Sequence, residues 1–415
     1  MSEVARTHRL RRMTGRDPRE SHRSASPLEL LYDLTLVVAF SLAGSQFAHA
    51  LVEDHLVEGL LGFAVAMFAI TLAWINYSWF ASAYDTDDAF MRLATLLQMV
   101  GVLVLALGLH DLFEGFDHGE FDNAVVVAGY VTMRVSMILL WSRAAAHDRD
   151  RRRTCLAYVR LIAVAQVGWV VTATDVLPVP VQIGLALALF ALELGGIVWI
   201  ETHLPPTPWH AHHIAERYGL LAIITFGEVV LGTTTAIEAV VTDQGWSVEA
   251  AVIALAGVAL AVGLWWCYFT VPFAHALTAS NARSMVFGFG HLVLYASIAA
   301  TGAGLHAAAY YVEHHSELDA AQTMLTMAMP VAVFVLALFT VFHLLFPGRD
   351  PLHHWLLVGT LVFLAAACAL AAWGAPLALA LLVLMLAPWV TVLGYELRGY
   401  RHIDEVAGAT RDVAR

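Results

Sequence analysis

The stretch LVEGLLGFAVAMFAITLAWINYSWF at residues 56–80 decides the fold of this chain. It holds one charged residue in 25 positions, and about 20 consecutive apolar residues are enough for a helix to cross the hydrocarbon core of a bilayer. Comparable stretches of about 20 to 25 residues recur along the whole chain. The sequence therefore predicts an all-α polytopic integral membrane protein with about twelve transmembrane helices. The stretches begin near residues 28, 56, 92, 121, 154, 179, 212, 248, 284, 322, 353 and 375.

The composition excludes a soluble globular protein and, with it, the soluble enzyme classes. Of the 415 residues, 60% are hydrophobic and the mean hydropathy is +0.70, whereas soluble domains are close to one half apolar. The chain has neither a glycine-rich phosphate loop nor a nucleophile elbow. Its three cysteines lie far apart, without the CxxC spacing of a metal site. We therefore expect a protein that is not an enzyme and uses no cofactor.

The charged residues are divided unevenly between successive loops. All 22 basic residues are arginines, and because basic residues favour cytoplasmic loops, both termini are predicted to be cytoplasmic. Arginine runs that adjoin hydrophobic spans are explained by topology control and by attraction to anionic lipid, so the expected partner is the lipid bilayer and no nucleic acid. The oligomeric state stays open, a homo-oligomer included. The arginine-rich segments contain Arg6, Arg9, Arg11, Arg12, Arg16, Arg19 and Arg23, and then Arg143, Arg149, Arg151, Arg152 and Arg153.

Weak internal matches at an offset of about 190 residues predict two six-helix halves in the same orientation, although any two apolar helices align to some degree. The aromatic run at 74–80 is echoed at 265–269, and a proline-rich segment between the halves cannot continue a helix. The predicted organisation is a disordered arginine-rich cytoplasmic tail (1–26), a first half (27–201), a cytoplasmic linker (202–211), a second half (212–398) and a cytoplasmic tail (399–415).

Ionisable side chains inside the spans are the strongest pointers to function, because each costs about 3 kcal/mol to place in a bilayer. Glu29 and Asp33 lie four residues apart in the first span, which stacks two carboxylates on one helix face. Either one of them holds a proton, or a cation or an arginine of another helix neutralises them. The candidate neutralisers are Arg134 in the fourth span and Arg160 in the fifth. Arg134, the deeper of the two, is expected to pair with a carboxylate inside the bundle.

The seventh span opens on a histidine-rich segment and carries further charges. His213 and Glu216 share a face, and Arg217 and Glu228 project from nearly one face about three turns apart. Because this segment lacks the HExxH geometry, we expect a solvated helix start and no metal site. The expected substrate- or ion-binding residues of the chain are Glu29, Asp33, Arg134, Glu193, His213, Glu216, Arg217 and Glu228.

Two motifs resemble those of the bacterial low temperature requirement protein A family. The first is SPLELLYDL at 26–34, and the second joins HIAERYGL at 213–220 to FGE at 226–228. The resemblance covers about residues 26–398. It implies a multi-pass protein of the bacterial inner membrane that supports growth at low temperature, but it implies no substrate and no reaction. The family motifs single out Glu29, Asp33, His213, Glu216, Arg217, Gly219 and Glu228.

The buried charges favour a secondary transporter that couples a proton or another cation to an unidentified small solute. In this hypothesis Asp33 and Glu228 bind the coupling ion or proton, and Arg134 balances charge or holds an anionic solute. Glu29 and Arg217 would form a cytoplasmic gate. The alternatives are an ion channel and a non-transporting membrane protein. The latter would be a scaffold or a lipid-acting enzyme in which the same charges fix helix packing.

Overall fold

The computed structural model describes residues 10–20, 23–174, 176–279, 281–346 and 351–399. Throughout these ranges the regular structure is helical, and they contain no strand. The elements are α1 (Pro27–Val52), α2 (Leu56–Tyr84), α3 (Ala89–Leu107), α4 (Leu109–Asp117), α5 (Ala124–His147), α6 (Arg152–Thr172), α7 (Val179–His203), α8 (Ala211–Gln244), α9 (Val248–Thr270), α10 (Phe273–Ala279), α11 (Asn281–Val312), α12 (Ala320–Leu345), α13 (Pro351–Ala372), α14 (Leu377–Gly394) and a π-helical turn (Tyr395–Gly399).

Twelve helical segments among the described residues are long and apolar enough to cross a membrane. Three of them join two elements: Ala89–Asp117 contains α3 and α4, Val248–Thr278 contains α9 and most of α10, and Leu377–Gly399 contains α14 and the π-helical turn. The shortest segment, Arg152–Thr172, has 21 residues and is about 31 Å long at 1.5 Å per residue. The prediction of an all-α polytopic membrane protein is confirmed.

The packing divides the chain into two compact units. The first comprises Met1–Leu42 and Phe68–Arg217, and the second comprises Ala43–Met67 and Tyr218–Arg415. Within the first unit α3 packs against α5, α5 against α6 and α6 against α7. Within the second, α11 packs against α12, and both α9 and α13 pack against α14. The predicted six-helix halves rest on sequence repetition rather than on packing, and they stay a prediction.

Small residues set the register between α3 and α5 in the first unit. A Cβ atom on Gly101 would lie 2.8 Å from the carbonyl oxygen of Gly129, so only glycine permits this approach. Seven residues earlier on α3, the carbonyl oxygen of Ala94 accepts a hydrogen bond from Ser136 Oγ at 2.6 Å. The two helices therefore run antiparallel, with Ala94 opposite Ser136 and Gly101 opposite Gly129. Gln98, midway along this stripe, faces α5.

The N-terminal segment makes defined contacts where the sequence predicts a disordered tail. Met13 is fully buried, and the backbone N–H of Arg11 donates to Asp88 Oδ2 at 2.9 Å. The N–H of Gly15 donates to Asp148 Oδ2 at 3.3 Å. Low apolar content predicts disorder. Here, however, hydrogen bonds from backbone N–H groups to loop carboxylates hold the segment in place. Residues 1–9, 21–22 and 400–415 of the two predicted tails lie outside the described residues.

Candidate functional site

The first helix positions Glu29 through its own N-terminal cap. Ser26 precedes Pro27, the first residue of α1, and Ser26 Oγ accepts a hydrogen bond from the N–H of Glu29 at 3.3 Å. In return Glu29 Oε2 accepts from the N–H of Ser26 at 2.7 Å. This reciprocal pair is a capping box, which satisfies two backbone donors and fixes the Glu29 side chain. Asp33 follows one turn later on the same face.

Arg217 of α8 neutralises both carboxylates of α1. Its Nη1 lies 2.7 Å from Glu29 Oε1, and its Nη2 lies 2.6 Å from Asp33 Oδ1. The three side chains are at most 1% exposed. The sequence offered Arg134 and Arg160 as candidates for this task, but Arg217 is the arginine that contacts both carboxylates. Periodicity identifies the face that carries the two acids, but it does not identify the helix that packs against that face.

Two further side chains complete this group, which we call the Asp33 cluster: Glu29, Asp33, Trp74, His213 and Arg217. The indole Nε1–H of Trp74 donates to Asp33 Oδ1 at 2.6 Å. His213 Nε2 lies 3.2 Å from Glu29 Oε1 and is fully buried. The Arg217 guanidinium also lies over the Trp74 ring, with its carbon 5.7 Å from the ring centroid. The sequence suggests Trp74 only as part of an aromatic run, because its hydrogen bond depends on the packing of α2 against α1.

The charges of the Asp33 cluster do not balance when its histidine is neutral. Two carboxylates face one guanidinium. Nearby, Arg23 Nη2 lies 3.8 Å from Glu29 Oε1 and 3.6 Å from Asp85 Oδ2, and this second arginine and third acid cancel each other. One negative charge is left over. A proton on His213 or on a carboxylate, or a bound cation, would neutralise it.

The Glu193 cluster comprises Tyr130 and Arg134 of α5, Trp169 of α6 and Glu193 of α7. Arg134 Nη2 donates to Glu193 Oε2 and to the Tyr130 hydroxyl. The Tyr130 hydroxyl donates to Glu193 Oε2 at 2.9 Å, and Trp169 Nε1–H donates to Glu193 Oε1 at 2.9 Å. Arg134 is therefore paired with a carboxylate inside the bundle, as its depth in the sequence predicts. Here one acid meets one base, and both carboxylate oxygens are hydrogen-bonded.

The remaining predicted site residues do not join either cluster. Glu216 is exposed. Glu228 is buried in the second unit, where its Oε2 lies 4.0 Å from the position that a Cβ atom on Gly44 would occupy. Arg160 is exposed, and its Nε donates to the carbonyl oxygen of Leu156 in its own helix. It therefore does not neutralise the carboxylates of α1.

The histidine-rich segment before α8 caps the helix and supplies one member of the Asp33 cluster. His210 Nδ1 accepts a hydrogen bond from the N–H of His213 at 3.2 Å, and His210 Nε2 lies 2.9 Å from the carbonyl oxygen of Glu20. His212 is exposed. The expected solvated helix start therefore holds for His212, whereas His210 is buried as a helix cap and His213 belongs to the buried charges.

Two loop carboxylates next to α2 and α3 have opposite electrostatic environments. Burial, with a smaller contribution from the nearby Glu29 carboxylate, raises the pKa of Asp85. Burial alone would also raise the pKa of Asp88, but hydrogen bonds from Arg143 and from the N–H groups of Arg11 and Met91 outweigh it and lower that pKa below its usual range. Asp88 is thus a firmly ionised anchor, whereas Asp85 is more easily protonated.

Together, the helices and the buried ion clusters define the class of this protein, a polytopic α-helical membrane protein with charged groups inside its spans. The chain belongs to the family described as bacterial low temperature requirement A protein (LtrA), whose family model matches residues 24–388. That range contains both clusters.

A more distant comparison adds no activity. The chain is 24% identical over 298 residues to the "Uncharacterized protein RA0937" of Rhizobium meliloti (strain 1021), and the match covers 68% of each chain. No solved structure matches the chain.

Proposed function

We propose that this protein is a secondary transporter in which protonation of the Asp33 cluster is coupled to movement of a small solute. The observation that carries the proposal is the unbalanced charge of this cluster. Glu29 and Asp33 share Arg217 as their guanidinium partner in a buried environment, and a net buried charge is costly. Gain and loss of one proton at His213 or at a carboxylate would therefore be tied to a change in the packing of α1 against α8.

The other residues have supporting roles in this proposal. The ion pair between Glu29 and Arg217, close to the first turn of α1 and of α8, acts as a cytoplasmic gate. Glu228 provides a second proton or cation site in the second unit. Arg134 both balances Glu193 and interacts with an anionic solute. In this proposal the protein catalyses no covalent reaction and needs no cofactor.

The proposed setting is the bacterial inner membrane, with both termini in the cytoplasm. The arginines before α1 and between α5 and α6 support this orientation, because positive charge is retained on the cytoplasmic side. The proposed partners are the lipid bilayer and the solute or ion, together with a second copy of the chain if it forms a homo-oligomer; nucleic acid is not among them. Membership of the LtrA family supports a role in growth at low temperature.

Solute-dependent proton entry into proteoliposomes tests the proposal. The purified full-length protein is reconstituted with a pH-sensitive dye inside, and amino acids, carboxylates and sugars are added outside at pH 6 and pH 7.5. We expect at least one class of solute to acidify the interior more strongly at the lower external pH. Asp33→Asn should abolish the acidification, because it removes one carboxylate and leaves Glu29 balanced by Arg217, so that no uncompensated charge remains to bind a proton. A sodium gradient in place of the pH gradient identifies a coupling ion other than the proton.

Glu114→Gln is the matched control. Glu114 is an exposed carboxylate with a histidine, His110, one turn earlier at 3.4 Å, so the change removes an acid beside a histidine without touching the Asp33 cluster. It should leave proton entry unchanged. If Asp33→Asn and Glu114→Gln both transport like the wild type, the Asp33 cluster is not the coupling site and the proposal fails.

A non-transporting scaffold is the second candidate, and the Glu193 cluster is the observation that favours it. Both oxygens of Glu193 are hydrogen-bonded, as expected for a pair that holds helices together. In that case no solute class would move protons, and cold-sensitive growth would follow the folded amount of each variant rather than its charge.

A further inference from the structure

Polar groups without a hydrogen-bond partner are concentrated in the interior of the first unit. Gln98 is fully buried, and neither its amide oxygen nor its amide nitrogen has a partner within the described part of the chain. The same holds for the hydroxyl of the fully buried Tyr32 and for the Nε and Nη1 atoms of Arg134. Buried polar atoms are nearly always hydrogen-bonded in native proteins, so several orphans in one unit call for an explanation.

Helix contacts bring these three side chains to one level of the unit. Tyr32 packs its ring edge-on against Tyr77 at a centroid distance of 4.6 Å, and the Tyr77 hydroxyl bonds Thr95 Oγ1 at 2.9 Å. Thr95 is one turn before Gln98 on α3. Two side-chain contacts thus connect Tyr32 to the turn of α3 that precedes Gln98.

Arg134 reaches the same level from α5. The register fixed by Ala94 with Ser136, and by Gly101 with Gly129, places Gln98 opposite the part of α5 that carries Arg134. Tyr32 also lies within electrostatic range of Arg134. The three orphaned side chains therefore come from α1, α3 and α5 and lie at a similar depth in the first unit.

The unused atoms at this level are mainly hydrogen-bond donors. Arg134 offers two N–H groups, Gln98 offers an amide NH₂, and Tyr32 offers a hydroxyl, whereas the amide oxygen of Gln98 can only accept. A permanently charged guanidinium beside neutral donors suits a planar oxyanion, because charge-assisted bonds from arginine to a carboxylate are stronger than neutral ones. A metal cation would be repelled by the guanidinium and by the positively charged hydrogens of these donor groups.

We propose that Tyr32, Gln98 and Arg134 form a binding site for the carboxylate group of a small organic acid. This inference rests on the proposed transport function and assigns the chemical class of its solute. Tyr32 is adjacent to Asp33 in the chain and lies within electrostatic range of Asp33 and Arg217 as well as of Arg134. The carboxylate site is therefore next to the Asp33 cluster, so an anion bound at one site favours a proton at the other.

The test uses the full-length protein in lipid nanodiscs and measures binding by calorimetry and by thermal shift. The probes are acetate, lactate and succinate, with acetamide and lactamide as uncharged analogues. We expect at least one carboxylate to bind and its amide analogue to bind about tenfold or more weakly. Gln98→Leu and Tyr32→Phe should each weaken that binding by about tenfold, the effect of one lost hydrogen bond.

Gln98→Leu has a second signature that a purely structural glutamine would not give. Because the amide has no protein partner, its replacement by an apolar side chain should leave the melting temperature of the unliganded protein unchanged or raised. Tyr158→Phe is the control, because its hydroxyl donates to Glu201 away from this site. It should retain wild-type carboxylate affinity.

Three outcomes overturn the inference. Wild-type carboxylate affinity in both Gln98→Leu and Tyr32→Phe would show that these side chains do not form the site. A large loss of unliganded stability in Gln98→Leu would show that the amide has a structural partner. If no carboxylate binds to the wild type while another class of solute still drives proton entry, the carboxylate assignment fails and the proposed transport function stands.

Discussion

The two buried ion clusters of the first unit contain the same residue types but differ in their charge balance and in their hydrogen bonds. In the Glu193 cluster, one carboxylate meets one guanidinium, and Tyr130 and Trp169 bond its oxygens. In the Asp33 cluster, two carboxylates share one guanidinium, and a histidine adds a titratable group. Asp33 Oδ2 has no hydrogen-bond partner among the described residues. A buried charge in a span is thus not by itself a sign of transport. The balance of charge and the saturation of its hydrogen bonds separate a group that packs helices from one that can exchange a proton.

The largest predicted effect tests the structural side of this comparison. Glu193→Ala leaves the Arg134 guanidinium buried without a carboxylate, and we expect a loss of about 3–5 kcal/mol in the free energy of unfolding. The double variant Arg134→Met with Glu193→Leu should recover most of that loss, because no charge remains to be compensated. Unfolding in mixed micelles measures both. A single variant as stable as the double variant would mean that Arg134 has other support.

A smaller loss is expected on the proton-exchanging side. Asp33→Asn keeps an oxygen that can accept from Trp74, and Arg217 keeps Glu29 as its partner. We expect a loss of about 2 kcal/mol, the range for a hydrogen bond to a charged group, together with loss of proton coupling. The same unfolding measurement ranks the two clusters. If Asp33→Asn costs more than Glu193→Ala, the Asp33 cluster is the packing device and the comparison is reversed.

Asp88 lies outside the spans, and both of its carboxylate oxygens accept hydrogen bonds, as those of Glu193 do. Its pKa in the folded state is lowered by hydrogen bonds that include those from Arg143, below the unfolded value of about 3.9. The stabilisation is therefore complete well above pH 4 and is lost as the pH falls through the unfolded value towards the folded one. Asp88→Asn should be about 1.5 kcal/mol less stable than the wild type at pH 6. Unfolding at pH 6, 4 and 3 should show this gap narrowing; a constant gap would contradict the linkage.

The smallest effect is expected at Arg160, which joins neither cluster. Its side chain is exposed and bonds only the backbone of its own helix among the described residues. Arg160→Ala should change the free energy of unfolding by less than about 0.5 kcal/mol. A loss as large as that of Asp33→Asn would show that Arg160 has a partner within the assembly.

The sequence predicts the spans and the residues of interest better than it predicts their partners. Hydrophobic length alone is enough to place twelve spans, because a bilayer sets one length for every helix. The cost of charge in lipid likewise marks Glu29, Asp33, Arg134 and Arg217 without any knowledge of packing. Hydrophobic length and the positions of charged residues can both be read along a single sequence.

Partner choice depends on which helices are neighbours, and helical periodicity does not give that. Glu29 and Asp33 pair with Arg217, 184 positions from Asp33, and the carboxylate opposite Arg134 belongs to α7 rather than to α1. Trp74 and Trp169 look like ordinary interfacial aromatics in the sequence, yet each donates to a buried carboxylate. The orphaned amide of Gln98 has no sequence signal, because glutamine in an apolar helix most often has a partner.

The contacts of the N-terminal segment also impose an order on biosynthesis. The partner of the Arg11 N–H lies 77 residues later, and that of the Gly15 N–H lies 133 residues later. A ribosome adds about 5–20 residues per second, so Gly15 is made many seconds before Asp148, its partner beyond the fourth span. The segment around Gly15 can therefore complete its contacts only after the four spans that precede Asp148 have been made.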